Sequence, residues 1–476
     1  MNKLIGRKEE KAHLNRLLEA READFLVVYG RRRVGKTFLI REHLKKEIAF
    51  EMTGTVDTPL AEQLHNFRLS MNRASKSRKT IAPTSWVDAF EELKSYLLTL
   101  PKKKKHVLFF DELPWLASRR SRFLPALDHF WNTFLSRHPN FLLIVCGSAA
   151  SWMISKILNH KGGLHNRVTS RMRLDPFSLA ETEAFLRSRK VRLTRYEILT
   201  LTMACGGIPH YLKEVLPGES AGQAIHRTCF TSHGFLRDEF PRLYHSLFEN
   251  ADRHLDLIRI LAKRPRGMTR SELSKTYTSG GRLTRTLEEL TEAGFVSATL
   301  PFQKKKKDTL FRISDEYSIF YLRWIEPQRT QRQNIFTKIQ TSPSWRAWSG
   351  YALENLAQRH LPQLKRALGI YEVEAYDSSW VHLPNKTWPD GSQIDLLLDR
   401  ADNTINLIEI KFSQSPFTIN KTYANTLRKR LETFRGVTKT NKNTFLTFIT
   451  THGLTDNSFS RELAHQTLKT DDLFEF

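Results

Sequence analysis

Short apolar runs alternate with helical patterns over residues 1 to about 175 of the chain. The runs Phe25–Tyr29, Val107–Phe110 and Phe141–Cys146 have the length and composition of buried strands. Strands that alternate with helices are typical of a parallel sheet covered by helices on both faces. The pattern therefore predicts an α/β domain with a doubly wound parallel sheet over residues 1–177.

The first apolar run leads directly into a glycine-containing loop in the segment YGRRRVGKTFLI. The spacing GxxxxGK(S/T) between a strand and a helix is the context that a phosphate-binding P-loop requires. Its backbone N–H groups are predicted to surround a polyphosphate, with Lys36 as the catalytic cation at the β- and γ-phosphates and Thr37 on Mg²⁺. The predicted nucleotide-contacting residues are Gly30, Arg31, Arg32, Arg33, Val34, Gly35, Lys36, Thr37 and Phe38.

The next two apolar runs end in polar residues. Asp111 and Glu112 follow the second run about 75 residues after the P-loop, a separation that a parallel crossover can fill. Asp111 is predicted to join the Mg²⁺ shell, and Glu112 to polarise the attacking water. Ser148 follows the third run, at the sheet edge where ligands bind, and is predicted to bond the γ-phosphate or the water. A loop serine with no such role is the alternative.

The net charge and the cysteine content indicate which class of partner and which cellular compartment to expect. The 75 Lys and Arg residues exceed the 50 Asp and Glu residues, for a net charge of +25. This excess favours a polyanion, with DNA first, whereas a generally basic proteome or an anionic membrane surface is the alternative. No apolar stretch approaches the roughly 20 residues that span a bilayer, and the N-terminus has no signal-peptide pattern. Because the three cysteines are scattered, the expectation is a cytoplasmic protein without a membrane partner.

The middle of the chain changes pattern twice. Residues 178–245 are predicted to form a helical lid. Residues 246–325 contain three helical patterns and then two strand patterns around Lys304–Lys307, the order of a winged helix-turn-helix. The lysines at the wing tip, with Arg282 and Arg285, would bind a DNA backbone, although many winged helices contact only proteins. The polar segment 326–345 is predicted to be a linker.

The last part of the chain, 346–476, places acidic residues on a helix and on two strands. Glu354 lies on the apolar side of a helical pattern, Asp395 in one strand pattern and Glu409 with Lys411 in the next. Glu409 and Lys411 are two residues apart and share a face. The carboxylates are predicted to form a site for Mg²⁺ or Mn²⁺, held by Asp395 and Glu409, and Lys411 would offset charge on a phosphodiester.

This arrangement, E…D-x13-E-x-K, resembles the PD-(D/E)XK nuclease superfamily. The resemblance implies a restriction-endonuclease-like α/β domain in which Glu354, Asp395, Glu409 and Lys411 are catalytic. Such a fold also serves as a non-cleaving scaffold, and an ExK triplet on a solvated strand face needs no chemistry. Retained cleavage therefore stays open.

Taken whole, the chain resembles prokaryotic archaeal-type AAA+ and STAND-related ATPases that carry a nuclease-like C-terminal domain. The resemblance implies adenine-side contacts for Gly6 and Arg7 and a γ-phosphate sensor or finger role for Arg167. It also implies that Pro209, in a GxP turn of the lid, lies against the base.

These observations favour an ATP-hydrolysing switch that engages DNA and carries a metal-dependent, nuclease-like domain. A STAND-like regulator whose C-terminal domain binds protein or DNA without cleavage is the alternative, and a transcription factor acting through the winged helix is a third. A homo-oligomer or a protein partner stays open.

Overall fold

A computed structural model describes residues 4–76, 82–118, 120–158, 163–277, 282–328 and 335–475. The chain divides into two compact units: unit 1 comprises residues 1–176 and 288–293, and unit 2 comprises 177–287 and 294–476. Residues 278–281 of the predicted winged helix-turn-helix and residues 329–334 of the predicted linker lie outside the described residues. Within the described residues, none of the helices is both long enough and apolar enough to span a bilayer.

Unit 1 contains the predicted parallel sheet, with strand order β2-β3-β4-β1-β5. The central strands β1, β3 and β4 are buried on both faces because they are nearly continuous apolar runs. Strand β4 lies between β1 and β3, so the ends of these three strands meet at one sheet edge. The strands are β1 (Asp24–Tyr29), β2 (Ile48–Thr53), β3 (His106–Asp111), β4 (Phe141–Gly147) and β5 (Ser170–Arg173).

Helices of unit 1 cover this sheet, and aromatic side chains fill the interface. Phe67, Trp86, Phe90, Phe110 and Phe123 pack edge to face in one apolar cluster. The helices are α1 (Lys8–Glu19), α2 (Lys36–His43), α3 (Leu60–Ser75), α4 (Trp86–Leu97), α5 (Leu113–Leu116), α6 (Phe123–Thr133) and α7 (Ala150–Met153).

Unit 2 begins with helices where the lid is predicted. Several start with a capping box, in which a Ser or Thr and a Glu or Gln three residues later satisfy each other's backbone N–H groups, as Ser178 and Glu181 do. These helices are α8 (Leu179–Ser188), α9 (Arg195–Cys205), α10 (Pro209–Leu212), α11 (Ala221–Phe230) and α12 (Glu239–His245).

The three helical patterns and the hairpin pattern of segment 246–325 are present. Thr269 and Glu272 form a capping box at the start of the second helix. Strand β8 pairs antiparallel with both β6 and β7. The elements are α13 (Ala251–Ala262), β6 (Met268–Thr269), α14 (Arg270–Thr276), α15 (Leu283–Glu292), β7 (Val296–Thr299), β8 (Leu310–Ile313) and α16 (Glu316–Phe320).

The predicted linker over 326–345 is wrong for its second half. Residues Ile335–Gln340 form α17, and α18 begins at Pro343. Ile335, Phe336 and Ile339 are buried, and the Phe336 ring stacks 5.8 Å from that of Phe230. The segment is polar on average, but its few apolar residues recur at the spacing of one helical turn and so form one apolar face. That face packs against residues that are distant in the sequence.

The rest of unit 2 forms a mixed sheet with order β13-β12-β11-β10-β9. Strands β9, β10 and β11 pair antiparallel, and β11, β12 and β13 pair parallel. Helix α20 packs on this sheet through Ala424, Leu427 and Phe434. The elements are α18 (Pro343–Arg359), α19 (Leu361–Ala367), β9 (Ala375–His382), β10 (Ser392–Arg400), β11 (Thr404–Lys411), α20 (Lys421–Thr438), β12 (Asn443–Thr450), α21 (Ser458–Leu463) and β13 (Gln466–Lys469).

Candidate functional site

Lys36 is a buried cation at the start of α2, only 5% exposed. Its Nζ donates hydrogen bonds to the carbonyl oxygens of Gly30, at 3.0 Å, and Arg31, at 2.8 Å. Burial lowers the pKa of this amine, because few groups replace the water lost by the charged form. A buried ammonium beside a helix N-terminus attracts an anion more strongly than a solvated one would.

Glycine is required where the loop leaves β1. Gly30 has φ +140°, and a Cβ there would lie 2.3 Å from the carbonyl oxygen of Leu174. Gly35, with φ +96°, caps α2 in a left-handed conformation. The two glycines of the motif therefore set the path of the loop.

Arg7 supports the loop from outside. Its Nη2 donates to the carbonyl oxygen of Val34 at 3.0 Å, and its Nη1 bonds Glu10 at 3.1 Å. The side chain is 3% exposed. Arg7 thus bonds the P-loop backbone directly, and Glu10 pairs with the same guanidinium.

Thr37 and Asp111 meet at the sheet edge. The Thr37 hydroxyl donates to Asp111 Oδ2 at 2.8 Å. Burial raises the pKa of Asp111, and the nearby charge of Glu112 raises it further. A hydroxyl and a carboxylate beside the phosphate-binding loop are the hard oxygen donors that Mg²⁺ prefers, so these residues fit that ion.

Glu112 is held by the end of β4. The Ser148 hydroxyl donates to Glu112 Oε1 at 2.7 Å, and the Ser148 backbone N–H approaches Oε2 at 3.3 Å. Glu112 itself adopts a left-handed conformation with φ 49°. The structure thus brings Lys36, Thr37, Asp111, Glu112 and Ser148 to one edge of the sheet.

Among the other predicted nucleotide-site residues, Arg31 and Val34 are buried and several are more exposed. Arg32 and Phe38 lie at the surface, with Phe38 37% exposed. Arg167 is 44% exposed and lies 4.0 Å from Asp128. Pro209 opens α10 in unit 2. Their predicted roles toward a nucleotide stay predictions.

The C-terminal residues converge in unit 2. Leu396 of β10 pairs with Ile408 of β11, so Asp395 and Glu409 each lie one residue beyond that pair. Lys411 Nζ lies 2.7 Å from Glu409 Oε1, which shows that the two share a face. The structure thus brings these three side chains together.

Glu409 is already fully engaged. Its Oε1 accepts from the Tyr423 hydroxyl as well as from Lys411, and its Oε2 accepts from Arg430. Although burial would raise the pKa of Glu409, the charges of Arg430 and Lys411 outweigh that effect and hold it low. Among the described residues, no group of three or more His, Cys, Asp or Glu side chains could hold a metal ion.

The predicted Mg²⁺ or Mn²⁺ site at Asp395 and Glu409 is therefore not formed in this arrangement. Lys411, Arg430 and the Tyr423 hydroxyl take the positions around Glu409 that a metal would need. The donor set does not fit a metal ion without rearrangement of these three side chains.

Glu354 and Asp395 face a third cation. Burial, and then the charge of Asp395, raise the pKa of Glu354 to about 8. Burial and the charge of Glu409 also raise the pKa of Asp395. The positive charge of Arg312 on β8 acts in the opposite direction and lowers the pKa of Glu354. Burial lowers the pKa of the Arg312 guanidinium.

Sequence reasoning missed Arg312, Tyr423 and Arg430. Tyr423 and Arg430 are seven residues apart and therefore share a face of α20. Two polar residues on the sheet-facing side of a predicted helix could have indicated that they contact the acidic residues. Arg312 comes from a distant segment, and no local pattern indicates it.

Helix α18 ends against the first residues of unit 2. Arg359 donates to Glu316, at 2.6 Å, and to the carbonyl oxygen of Phe177, at 2.7 Å. The backbone N–H of Leu179 donates to His360 Nε2 at 3.0 Å. The helix that carries Glu354 is thus bonded at its C-terminal end to the first residues of unit 2.

Comparisons with known proteins agree with the N-terminal geometry. Residues 4–215 match the family model of an ATPase domain found predominantly in Archaea. An uncharacterised protein of Methanocaldococcus jannaschii is 25% identical over 442 residues, 89% of this chain and 91% of its own length. An ATP-binding protein of the same archaeon is 44% identical over 43 residues, 9% of this chain and 73% of its own length.

A solved structure shares the fold. The Walker-type ATPase of Pyrococcus abyssi superposes with a TM-score of 0.51 and 20% identity, covering 67% of this chain and 96% of that one. Residues 4–215 of the chain are therefore similar to an archaeal ATPase domain, and the parallel sheet has the fold of that Walker-type ATPase.

Proposed function

We propose that the chain is an ATP-hydrolysing switch that engages DNA, with Glu112 as the group that activates water. The observation that carries this proposal is the hydrogen bond between Ser148 and Glu112. It lies at the same sheet edge as the buried Lys36 and the hydrogen bond between Thr37 and Asp111. These side chains supply an anion-binding cation, hard oxygen donors and a general base at one sheet edge.

In the proposed mechanism, the loop N–H groups and Lys36 bind the phosphates of ATP. Thr37 and Asp111 would hold Mg²⁺, which when bound would supply positive charge to the phosphates. Ser148 orients the Glu112 carboxylate, and Glu112 accepts a proton from the attacking water. Arg7 donates to the Val34 carbonyl and so supports the backbone of the loop.

The first prediction separates ATP binding from hydrolysis. Glu112→Gln removes the base and keeps a similar shape, so ATP turnover should fall by about 10²-fold or more while ATP affinity stays near that of the parent. Lys36→Ala should abolish ATP binding. Single-turnover phosphate release and equilibrium binding of a labelled ATP analogue measure the two effects.

Glu91→Gln, an exposed glutamate on α4, is the control with the same chemical change. Tight nucleotide binding by Lys36→Ala, or unchanged turnover by Glu112→Gln, would contradict the assignment.

DNA engagement is proposed on charge and element order. The chain carries a net charge of +25. Helices α13, α14 and α15 followed by the β7–β8 hairpin have the order of a winged helix-turn-helix, and Lys304–Lys307 are exposed between its strands. The hairpin loop would then act as the wing.

For the C-terminal sheet we propose a nuclease-like scaffold that does not cleave in this arrangement, because Glu409 is engaged by Lys411, Arg430 and Tyr423. Metal-dependent DNA cleavage is the second candidate. It is favoured by the convergence of Glu354, Asp395 and Glu409 with Lys411, and it requires these contacts to rearrange.

The second prediction tests the scaffold. The full chain, incubated with ATP, Mg²⁺ or Mn²⁺ and labelled plasmid, should leave both strands intact on a sequencing gel, and Arg430→Gln should not change this. Cleavage by the parent chain that is lost in both Asp395→Ala and Lys411→Ala would instead establish the second candidate.

A further inference from the structure

We infer that the β7–β8 loop and the outer face of α20 form one surface that binds the phosphate backbone of duplex DNA. This surface, the basic strip, consists of Lys304–Lys307, Lys421, Lys429, Arg435 and Lys439. The inference rests on the proposed DNA function. It differs in that the loop binds DNA together with the C-terminal domain, rather than with the recognition helix of a winged helix alone.

The loop is fixed to the C-terminal sheet at its base. The Phe302 backbone N–H donates to the Ser379 carbonyl oxygen of β9 at 2.7 Å. The Phe302 ring lies 5.8 Å from the Phe434 ring of α20, within the apolar cluster of that domain. Gln303 Nε2 donates to the Thr438 carbonyl oxygen at 3.0 Å. The loop therefore adjoins the C-terminal end of α20.

The two sets of cations are consequently neighbours. Lys304 follows Gln303 in the chain, and Lys439 follows Thr438, so the hydrogen bond between Gln303 and Thr438 joins the loop lysines to the helix. Lys304–Lys307 and Lys439 are all exposed. Held at a fixed position, these lysines lose little further backbone entropy when they bind a phosphate.

Helix α20 extends the strip toward the acidic cluster. Its exposed cations are Lys421, Lys429 and Arg435, while Tyr423 and Arg430 on another side contact Glu409. The 18 residues of the helix span about 27 Å at 1.5 Å per residue. That length corresponds to roughly eight base pairs of B-DNA at about 3.4 Å each.

Acidic residues offset only part of this charge. Asp390 lies 3.4 Å from Lys429 and offsets part of its charge. Glu462 pairs with Arg428, which does not belong to the basic strip. Asp308 accepts from the backbone N–H of Lys305 and leaves that ammonium at the surface. Glu432 is exposed on α20. The strip stays positive, and a uniformly charged polyanion such as duplex DNA complements it better than a protein surface of mixed charge.

The test uses three double variants of the full chain, each of which removes two positive charges. Lys304→Ser with Lys307→Ser alters the loop, and Lys421→Ser with Lys439→Ser alters the helix. Lys102→Ser with Lys103→Ser is the matched control, because these exposed lysines lie in unit 1 before β3. Fluorescence anisotropy with a labelled duplex of random sequence is measured between about 50 and 200 mM salt.

Each strip variant should lower the slope of log K against log salt by up to about 1.8, since each phosphate contact contributes about 0.9. Affinity near the middle of that salt range should fall on the order of tenfold. The control variant should keep the slope and affinity of the parent chain, and all variants should keep its melting temperature because the altered side chains are exposed.

Strip variants that behave like the control, while the parent binds duplex DNA, would overturn this inference and leave the proposed function standing. A parent chain that does not bind the duplex would overturn both. A final measurement uses vesicles in which about a quarter of the lipid is phosphatidylserine. If the strip variants lose binding to these vesicles but not to DNA, the surface binds a membrane and the inference is overturned.

Discussion

At the scale of single residues, the orientation of Glu112 depends on a side chain far away in the sequence. Ser148 donates to one carboxylate oxygen, at 2.7 Å, and its backbone N–H faces the other. This contact exists because β4 lies between β1 and β3. A glutamate alone at this position could turn toward solvent, whereas the paired glutamate is held at the sheet edge.

A buried histidine gives the third prediction. His360 is 1% exposed, and burial, followed by the charge of Arg359, lowers its pKa to about 3. Below the unfolded pKa of 6.5, the unfolded chain gains a proton that the folded chain does not take up. The free energy of unfolding should therefore fall as pH falls from 6.5 toward 3, by about 2 to 3 kcal/mol at a pH of about 4.5.

Urea unfolding between about pH 7 and 4.5 measures this effect, with His360→Gln as the comparison. The parent chain should lose stability more steeply than the variant across this range. Parallel pH profiles for the two chains would show that His360 contributes no such linkage.

At the scale of elements, two glycines in helix interiors differ in the space that surrounds them. A Cβ at Gly350 in α18 would meet nothing within 4 Å beyond its own helix backbone, whereas a Cβ at Gly436 in α20 would lie 2.0 Å from the Trp388 ring. Gly350 therefore costs helix stability without a packing benefit, and Gly436 allows Trp388 to lie against the helix.

The fourth prediction follows from this difference. Gly350→Ala should raise the free energy of unfolding by about 0.5 to 1 kcal/mol, because it reduces the entropy of the unfolded chain without a clash. Gly436→Ala should lower it by about 1 to 3 kcal/mol, because Trp388 must move. Each variant is the control for the other in denaturant unfolding, and changes of the same sign would contradict the argument.

Elements with a strong local pattern could be predicted from the sequence. The strands β1, β3 and β4 are continuous apolar runs, and the capping box at Thr269 marks the start of α14. Helix α17 was missed because its apolar face is short and its partners, such as Phe230, are distant in the sequence. Burial against distant residues does not leave a local pattern.

The candidate site divides in the same way. Lys36 and Thr37 follow the fixed spacing of the P-loop motif, and Asp111 ends an apolar strand run, so their convergence could be predicted. The contacts of Glu409 with Arg430 and Tyr423 depend on how α20 lies across β11, and the sequence does not specify that placement. This is why a metal site was predicted where the structure has ion pairs.

At the scale of the whole molecule, each unit has an apolar cluster of its own, one around Phe110 and Phe123 in unit 1 and one around Phe434 and Phe448 in unit 2. Separate cores allow separate cooperative transitions. The nucleotide residues Lys36, Asp111 and Glu112 all belong to unit 1.

The fifth prediction is that scanning calorimetry resolves two transitions. A non-hydrolysable ATP analogue with Mg²⁺ at about 100 times its Kd should stabilise the transition of unit 1 by about 2.7 kcal/mol and leave the other in place. Lys36→Ala should abolish this shift. A single transition that moves as a whole with the analogue would show that the two units unfold together.

Helix α18 has one more consequence. Glu354 and Arg359 lie five residues apart on it, about 7.5 Å along its axis, and its backbone hydrogen bonds keep that spacing fixed. Arg359 donates to the carbonyl oxygen of Phe177, the first residue of unit 2. Within unit 2, the end of the helix that carries Glu354 is therefore fixed by side-chain bonds to Phe177 and Glu316.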